Sequence, residues 1–181
     1  MIQYREFNPE VLYTDDPIIK VSQEDIEYLK QRSQKNPRKR IRLCAHPDVN
    51  DQLHEMLIIH TRETYVRPHK HINKSESFHI IEGECDVILF NEEGEMTEVI
   101  SMGTFQSGKR FYYRLSNPHY HTLLIKSDFL VFHETTKGPF NRNETVFASW
   151  SPSEEDTKEV DKFIQFLTNI EVDYNDKQKR R

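Results

Sequence analysis

The chain has 181 residues, of which 35% are hydrophobic and 30% charged, with 11 Phe, 8 Tyr, two Cys and a formal net charge of −5. That length builds one domain with a substantial core, and the aromatic supply argues against wholesale disorder. The acidic balance excludes a general electrostatic footprint for nucleic acid, two cysteines make no disulfide framework, and no apolar run approaches membrane-spanning length.

Residues 1–21 read as an irregular or extended arm carrying Pro9 and Pro17. Its first ten residues mix Tyr, Arg and Glu without an apolar stretch. No secretory signal is therefore expected, and the cytoplasm is the expected compartment. Ser22-Gln23-Glu24-Asp25 has the form of a variant capping box. It opens a helix with Ile26, Leu29 and Arg32 on one face, which stops before Pro37 and completes an N-terminal unit over residues 1–40.

From Ile41 the pattern changes. Short runs rich in Val, Ile, Phe, Tyr and Thr cover residues 55–61, 75–81, 86–90, 97–101, 111–115, 121–125 and 129–133. Turn residues such as Glu82-Gly83, Asn91-Glu92-Glu93-Gly94, Ser107-Gly108 and Ser127-Asp128 separate them. This succession predicts a mainly β, antiparallel barrel or sandwich over residues 41–140. Residues 141–170 read as a loop and a helix, with Ser151-Pro152-Ser153-Glu154 as a second capping box. Val160, Phe163, Ile164 and Leu167 then form one stripe, expected to pack on the outside of the barrel. Residues 171–181 are a charged tail. The expected whole is a single domain, a β-barrel with an α-helix at each end.

The decisive stretch is Pro68-His69-Lys70-His71, followed by Glu76 and Gly83. Side chains two apart on a strand share a face, so His69 and His71 present two imidazoles to one point. The short loop 72–75 allows Glu76 to return to it. This mixture of nitrogen and oxygen donors suits a divalent Fe, Mn, Ni, Cu or Zn ion. A lone strand histidine is more often a hydrogen-bonded core or surface residue, and HxH alone is a weak signal. The full spacing of HxH, four residues, Glu, six residues and Gly is that of the first cupin motif. Three buried ionisable groups without a partner would also be costly. A fourth ligand is expected from Asn117-Pro118-His119-Tyr120-His121, where Pro118 holds His119 in a turn and His121 enters the strand. His121 is preferred, with His119 as the alternative. Of the second cupin motif only the histidine survives, since Ser116, Pro118 and Ile125 stand at its Pro, Gly and Asn positions.

Arg38-Lys39-Arg40-Ile41-Arg42, Cys44-Ala45-His46, His54-Glu55-Met56, Tyr65-Val66-Arg67-Pro68-His69-Lys70-His71, Lys74-Ser75-Glu76-Ser77-Phe78, Glu134 and Gly138-Pro139-Phe140 together resemble the WbuC family. These are bacterial cupin-fold metalloproteins often encoded among surface-polysaccharide genes. The resemblance covers about residues 22–140. It implies an RmlC-like jelly-roll barrel with a bound metal and supplies no assigned reaction.

Around this centre, Arg38, Arg40 and Arg42 alternate along an extended segment. They read either as a grip on an anionic ligand at the barrel mouth or as a solvated edge strand. Arg38 and Arg40, together with Tyr113, are the substrate-binding candidates, and Tyr120 is a second tyrosine able to line a cavity. Lys70 is expected to point away from the metal, His79 to face the other side of the sheet, and Cys44 and Cys85 to be small buried residues. Glu134 is the candidate acid or base. The expected function is that of a metal-dependent isomerase, epimerase, lyase or dioxygenase acting on a small anionic or sugar-derived molecule. The alternative is a metal-centred binding or sensing module. A small-molecule ligand and a second copy of the chain are the expected partners, and nucleic acid and membrane are not.

Overall fold

Alternation of inward apolar and outward residues along the strands folds this chain into two facing sheets. The computed structural model describes residues 2–179. Strands β1 (Arg5–Asn8) and β2 (Val11–Tyr13) precede helix α1 (Gln23–Lys35). Then follow β3 (Arg40–Cys44), β4 (Leu53–Thr61), β5 (His69–His71), β6 (Glu76–Glu82), β7 (Glu84–Phe90) and β8 (Met96–Gly103). After these come β9 (Tyr112–Leu115), β10 (Tyr120–Ile125), β11 (Phe129–Lys137), β12 (Thr145–Phe147) and helix α2 (Thr157–Lys179). One sheet has the order β1-β2-β3-β4-β11-β6-β9 and the other β12-β5-β10-β7-β8. The eight strands β4 to β11 are divided as β4-β11-β6-β9 against β5-β10-β7-β8, which is the strand order of a jelly roll. The fold is therefore the mainly β jelly roll with flanking helices that the sequence predicts.

The core between the sheets is built from Met56, Ile58, Phe78, Ile80, Val87, Leu123 and Phe132. On the outer face of the first sheet, Leu29 of α1 packs against Ile41, Leu43 and Ile59. Helix α1 starts as its capping box requires: the Asp25 N–H donates to Ser22 Oγ and the Ser22 N–H to the Asp25 carboxylate. Leu167 of α2, flanked by Phe163 and Ile164, covers Ile88, Phe90 and Leu124 on the outside of the second sheet. Across that same contact, Lys126 bridges Asp86 and Glu171. No helix among the described residues is long and apolar enough to cross a membrane.

Within the N-terminal arm, the apolar run at Val11, Leu12 and Tyr13 makes a strand that joins β3 in parallel and buries Leu12 completely. One local expectation needs correction: the second capping box does not form. Ser151 Oγ donates to the Ala148 carbonyl, and α2 begins only after Asp156, whose carboxylate accepts the Glu159 N–H. The helix runs to Lys179, whereas Arg180 and Arg181 of the expected tail lie outside the described residues.

Gly83 of the first motif forms the β6–β7 turn with φ +85°. A Cβ there would stand 2.1 Å from the Phe129 carbonyl oxygen. Gly83→Ala is therefore expected to lower the unfolding free energy by more than about 1 kcal/mol, measured by urea denaturation. Wild-type stability in that variant would contradict this account of the motif glycine.

Candidate metal centre

Three strands bring four donor side chains together. His69 and His71 alternate along β5 and both face the other sheet, as the period of two requires. Residues 72–75 reverse the chain with Asn73 at φ 60°, so Glu76 is the first residue of β6. Strand β10 runs antiparallel to β5 with His121 opposite His69. Donor atoms of His69, His71, Glu76 and His121 all lie within 4.8 Å of one another. Glu76 Oε1 is 2.8 Å from His121 Nε2, and Oε2 is 3.0 Å from His71 Nε2. His121 thus occupies the place left open between two histidines. His119 is exposed in the turn, and only its backbone carbonyl reaches the centre, accepting from the His121 ring.

The far nitrogen of each ring is held from outside. Nδ1 of His69 lies 2.8 Å from the Arg67 carbonyl, and Nδ1 of His121 lies 3.0 Å from the His119 carbonyl. Nδ1 of His71 contacts Thr145 Oγ1 at 3.1 Å. A carbonyl only accepts, so His69 and His121 carry a proton on Nδ1, which leaves Nε2 as the inward donor. Oriented Nε2 atoms beside a buried carboxylate are the donor set of a divalent metal site, and the residues present fit one. Sequence reasoning missed Thr145, because β12 becomes a strand only by pairing with β5, where Thr145 lies opposite His71. Its short β-branched run, Thr145-Val146, is the one available signal.

Electrostatics reinforce the arrangement. Burial, then the neighbouring His121, push His69 down to about 3, so it is neutral. Burial disfavours charge on Glu76, but His121 and His71 outweigh it and hold the carboxyl well below its usual range. Burial likewise opposes charge on His121, and Glu76 outweighs it, raising His121 above its usual value.

The remaining candidates fall in different places. Along the first sheet, Glu76 and His54 both pair with Thr136, whereas Arg40 pairs with His60 and His60 with Leu130. The six-residue step from Thr136 to Leu130 puts Arg40 about 20 Å from the metal end. Arg38 and Arg40 therefore do not line the site. They form ion pairs with Glu10 and Glu154, tying the N-terminal hairpin to the loop before α2. Tyr120 faces outward against Trp150, and Lys70 points away to Glu92, 2.6 Å distant. His79 is exposed on the outer face beside Phe111. Burial pushes Cys44 up to about 11 and Cys85 up to about 12, which keeps both as thiols.

Glu134 and Tyr113 do face inward. Glu134 pairs with Phe78, and Phe78 with Tyr113, in the row adjacent to Glu76. Glu134 makes no ion pair among the described residues; burial, then the charge of Glu76, push it up to about 7. Tyr113 is buried, its hydroxyl has no hydrogen-bond partner among the described residues, and burial raises its pKa.

Residues 21–102 match a family model described as a domain of unknown function, DUF6016. No curated protein matches the chain. Among solved structures, protein SO0799 from Shewanella oneidensis is similar with 12% identity and a TM-score of 0.46, over 57% of this chain and 66% of that one. A variant of the Bacillus subtilis oxalate decarboxylase OxdC shares 16% identity at a TM-score of 0.44, over 55% of this chain and 25% of that one. The capsular polysaccharide assembling protein CapF of Staphylococcus aureus shares 18% identity at a TM-score of 0.44, over 54% and 27%. The chain thus spans about a quarter of the latter two proteins. Likeness at this level transfers no site or activity, and the jelly roll rests on the strand order of this chain.

A metal held by these four residues would compete with protons for the centre. Without metal, the raised His121 stabilises the fold below its unfolded value of 6.5, and this contribution is lost as pH rises through its folded pKa. The lowered Glu76 stabilises the fold above 4.5, and its contribution is lost as pH falls through its folded pKa. A metal must displace the His121 proton, so its apparent affinity is expected to rise by about tenfold per pH unit while that proton is bound. The increase in Tm on adding Zn²⁺ should therefore be larger at pH 6.5 than at pH 4.5, measured by scanning calorimetry. An increment independent of pH would contradict the shared-proton arrangement.

Proposed function

We propose that this chain is a metal-dependent enzyme of the cupin type that acts on a small anionic or sugar-derived molecule. The observation that carries the reading is the convergence of four donors inside the jelly roll, beside an inward carboxyl, Glu134, that makes no ion pair among the described residues. In this reading His69, His71, Glu76 and His121 bind the ion. A divalent ion there supplies a Lewis acid that polarises a carbonyl or activates water. Glu134 moves the proton: a carboxyl that titrates near neutrality donates and accepts with similar ease. Tyr113 orients the ligand through its free hydroxyl. Proton movement next to a carbonyl is the common step of isomerases, epimerases and many lyases, so the carboxyl favours these over dioxygenase chemistry. The link to surface polysaccharides comes from the resemblance of the motifs to the WbuC family alone.

The test has two arms. Metal content of the purified protein is measured by mass spectrometry for wild type, His69→Ala and Glu134→Gln. Each protein is then incubated with nucleotide sugars and sugar acids in deuterated water, and deuterium incorporation is read. Wild type should carry about one transition-metal ion and exchange a carbon-bound hydrogen, and His69→Ala should lose both. Glu134→Gln should keep the metal and lose about 10²–10⁴-fold in exchange rate. Full metal content in His69→Ala, or undiminished exchange in Glu134→Gln, would contradict the assigned roles.

A further inference from the structure

The three alternating arginines of the sequence end in different surroundings, and Arg42 is the one that forms no ion pair among the described residues. It lies on the inward face of β3, between Val11 of β2 and Ile58 of β4. Its Nε is buried without a hydrogen-bond partner, and among the described residues it forms no ion pair. Ile41 and Leu43, on either side of it, face α1, which fixes Arg42 toward the barrel interior. Arg42 as a whole is partly buried, and a donor such as its Nε–H that is taken out of water without an acceptor is costly.

The inward surface of this sheet forms rows. The row holding Glu76 contains His54, Thr136 and Leu115; the next holds Cys44, Met56, Glu134, Phe78 and Tyr113. Arg42 starts one row deeper, beside Ile58 and Phe132, and its field reaches both Glu134 and Cys44. Lys74, in the β5–β6 loop, also acts on Glu134 and forms no ion pair among the described residues. The positive charges of Arg42 and Lys74 thus both reach Glu134. Across β6, the Tyr113 ring lies 5.0 Å from the Phe78 ring, and its buried hydroxyl has no hydrogen-bond partner among the described residues. From Glu134 to Tyr113 is two strand spacings, about 10 Å.

We propose that Arg42, Glu134 and Tyr113 recognise one ligand beside the metal centre, a six-carbon-sized hydroxylated carboxylate lying across Phe78. The carboxylate occupies the guanidinium fork of Arg42; Glu134 and the Tyr113 hydroxyl receive its hydroxyl groups. A two-carbon acid is too short to reach from Arg42 to Tyr113, and a neutral sugar leaves the guanidinium uncompensated. This inference rests on the enzyme reading above and narrows its substrate class to sugar acids.

The experiment is isothermal titration calorimetry with D-glucuronate, D-glucose, glycolate and inorganic phosphate, performed on Zn²⁺-loaded protein and again after chelation. Wild type should bind glucuronate at least about tenfold more tightly than glucose or glycolate, the difference a charge-assisted pair supplies. Arg42→Met should erase the preference over glucose while metal content stays at the wild-type level. Arg42→Lys, which keeps the charge and loses the fork, should fall between. Tyr113→Phe should weaken glucuronate and glucose alike. Equal binding of acid and sugar by wild type, an acid preference surviving in Arg42→Met, or phosphate binding more tightly than glucuronate would each overturn the proposal. Loss of all metal binding by wild type would instead overturn the metal reading, since the preference of the chelated protein reports on Arg42 alone. Should Arg42→Met fail to fold, Arg42→Lys together with Tyr113→Phe decides the matter by the same comparison.

Discussion

A carboxylate that is almost fully buried, Glu76, stands among three imidazoles at the seam between two sheets. Burying that charge in a β interior is affordable only if positive charge meets it, and the structure provides two ways to do so. Without metal, the proton on His121 answers it across 2.8 Å. A divalent ion held by His69, His71, Glu76 and His121 would take the proton's place. Because β6 belongs to one sheet and β5 and β10 to the other, either partner staples the two halves of the jelly roll together. Metal binding and the packing of the two sheets are consequently linked.

The outer contacts of the rings explain why the centre is prepared in advance. Two backbone carbonyls and the Thr145 hydroxyl hold Nδ1 of the three histidines, so the inward nitrogens are oriented by the fold itself. Beyond the metal row, the interior changes character in steps. Thr136 and Glu76 give way to Glu134, Phe78 and Tyr113, and then to Arg42 among apolar neighbours. The polar groups of these deeper rows make few contacts with one another, unlike Arg38 and Arg40 at the far end, whose carboxylate partners fix them structurally. Satisfied charges hold the fold together, and it is beside the unsatisfied groups that the proposal above places a ligand.

How much of this was legible in the sequence depends on how local the determining contact is. The placement of His69, His71 and Glu76 on one point followed from a period of two and a short reversing loop, both readable in a few residues. The separation of His121 from His119 followed from Pro118, which keeps the earlier histidine in a turn. The face of the arginine segment was not readable, because it depends on α1 covering Ile41 and Leu43 from a distance in sequence. Tyr120 turned outward for a similar reason, since α2 and Trp150 supply its partners. Ser151 looked like a helix cap, yet the Ala148 carbonyl takes its hydroxyl hydrogen, and the helix waits for Asp156. Thr145 was invisible because a three-residue strand acquires meaning only from the strand it joins.

The central claim is that one divalent ion lies between β5, β6 and β10. Anomalous scattering from crystals of the protein as purified, recorded on both sides of the absorption edge of each first-row metal, tests it most directly. The account predicts a single peak bounded by Nε2 of His69, His71 and His121 and the carboxylate of Glu76. A protein that binds no metal there, or whose metal is held by other residues, would contradict it.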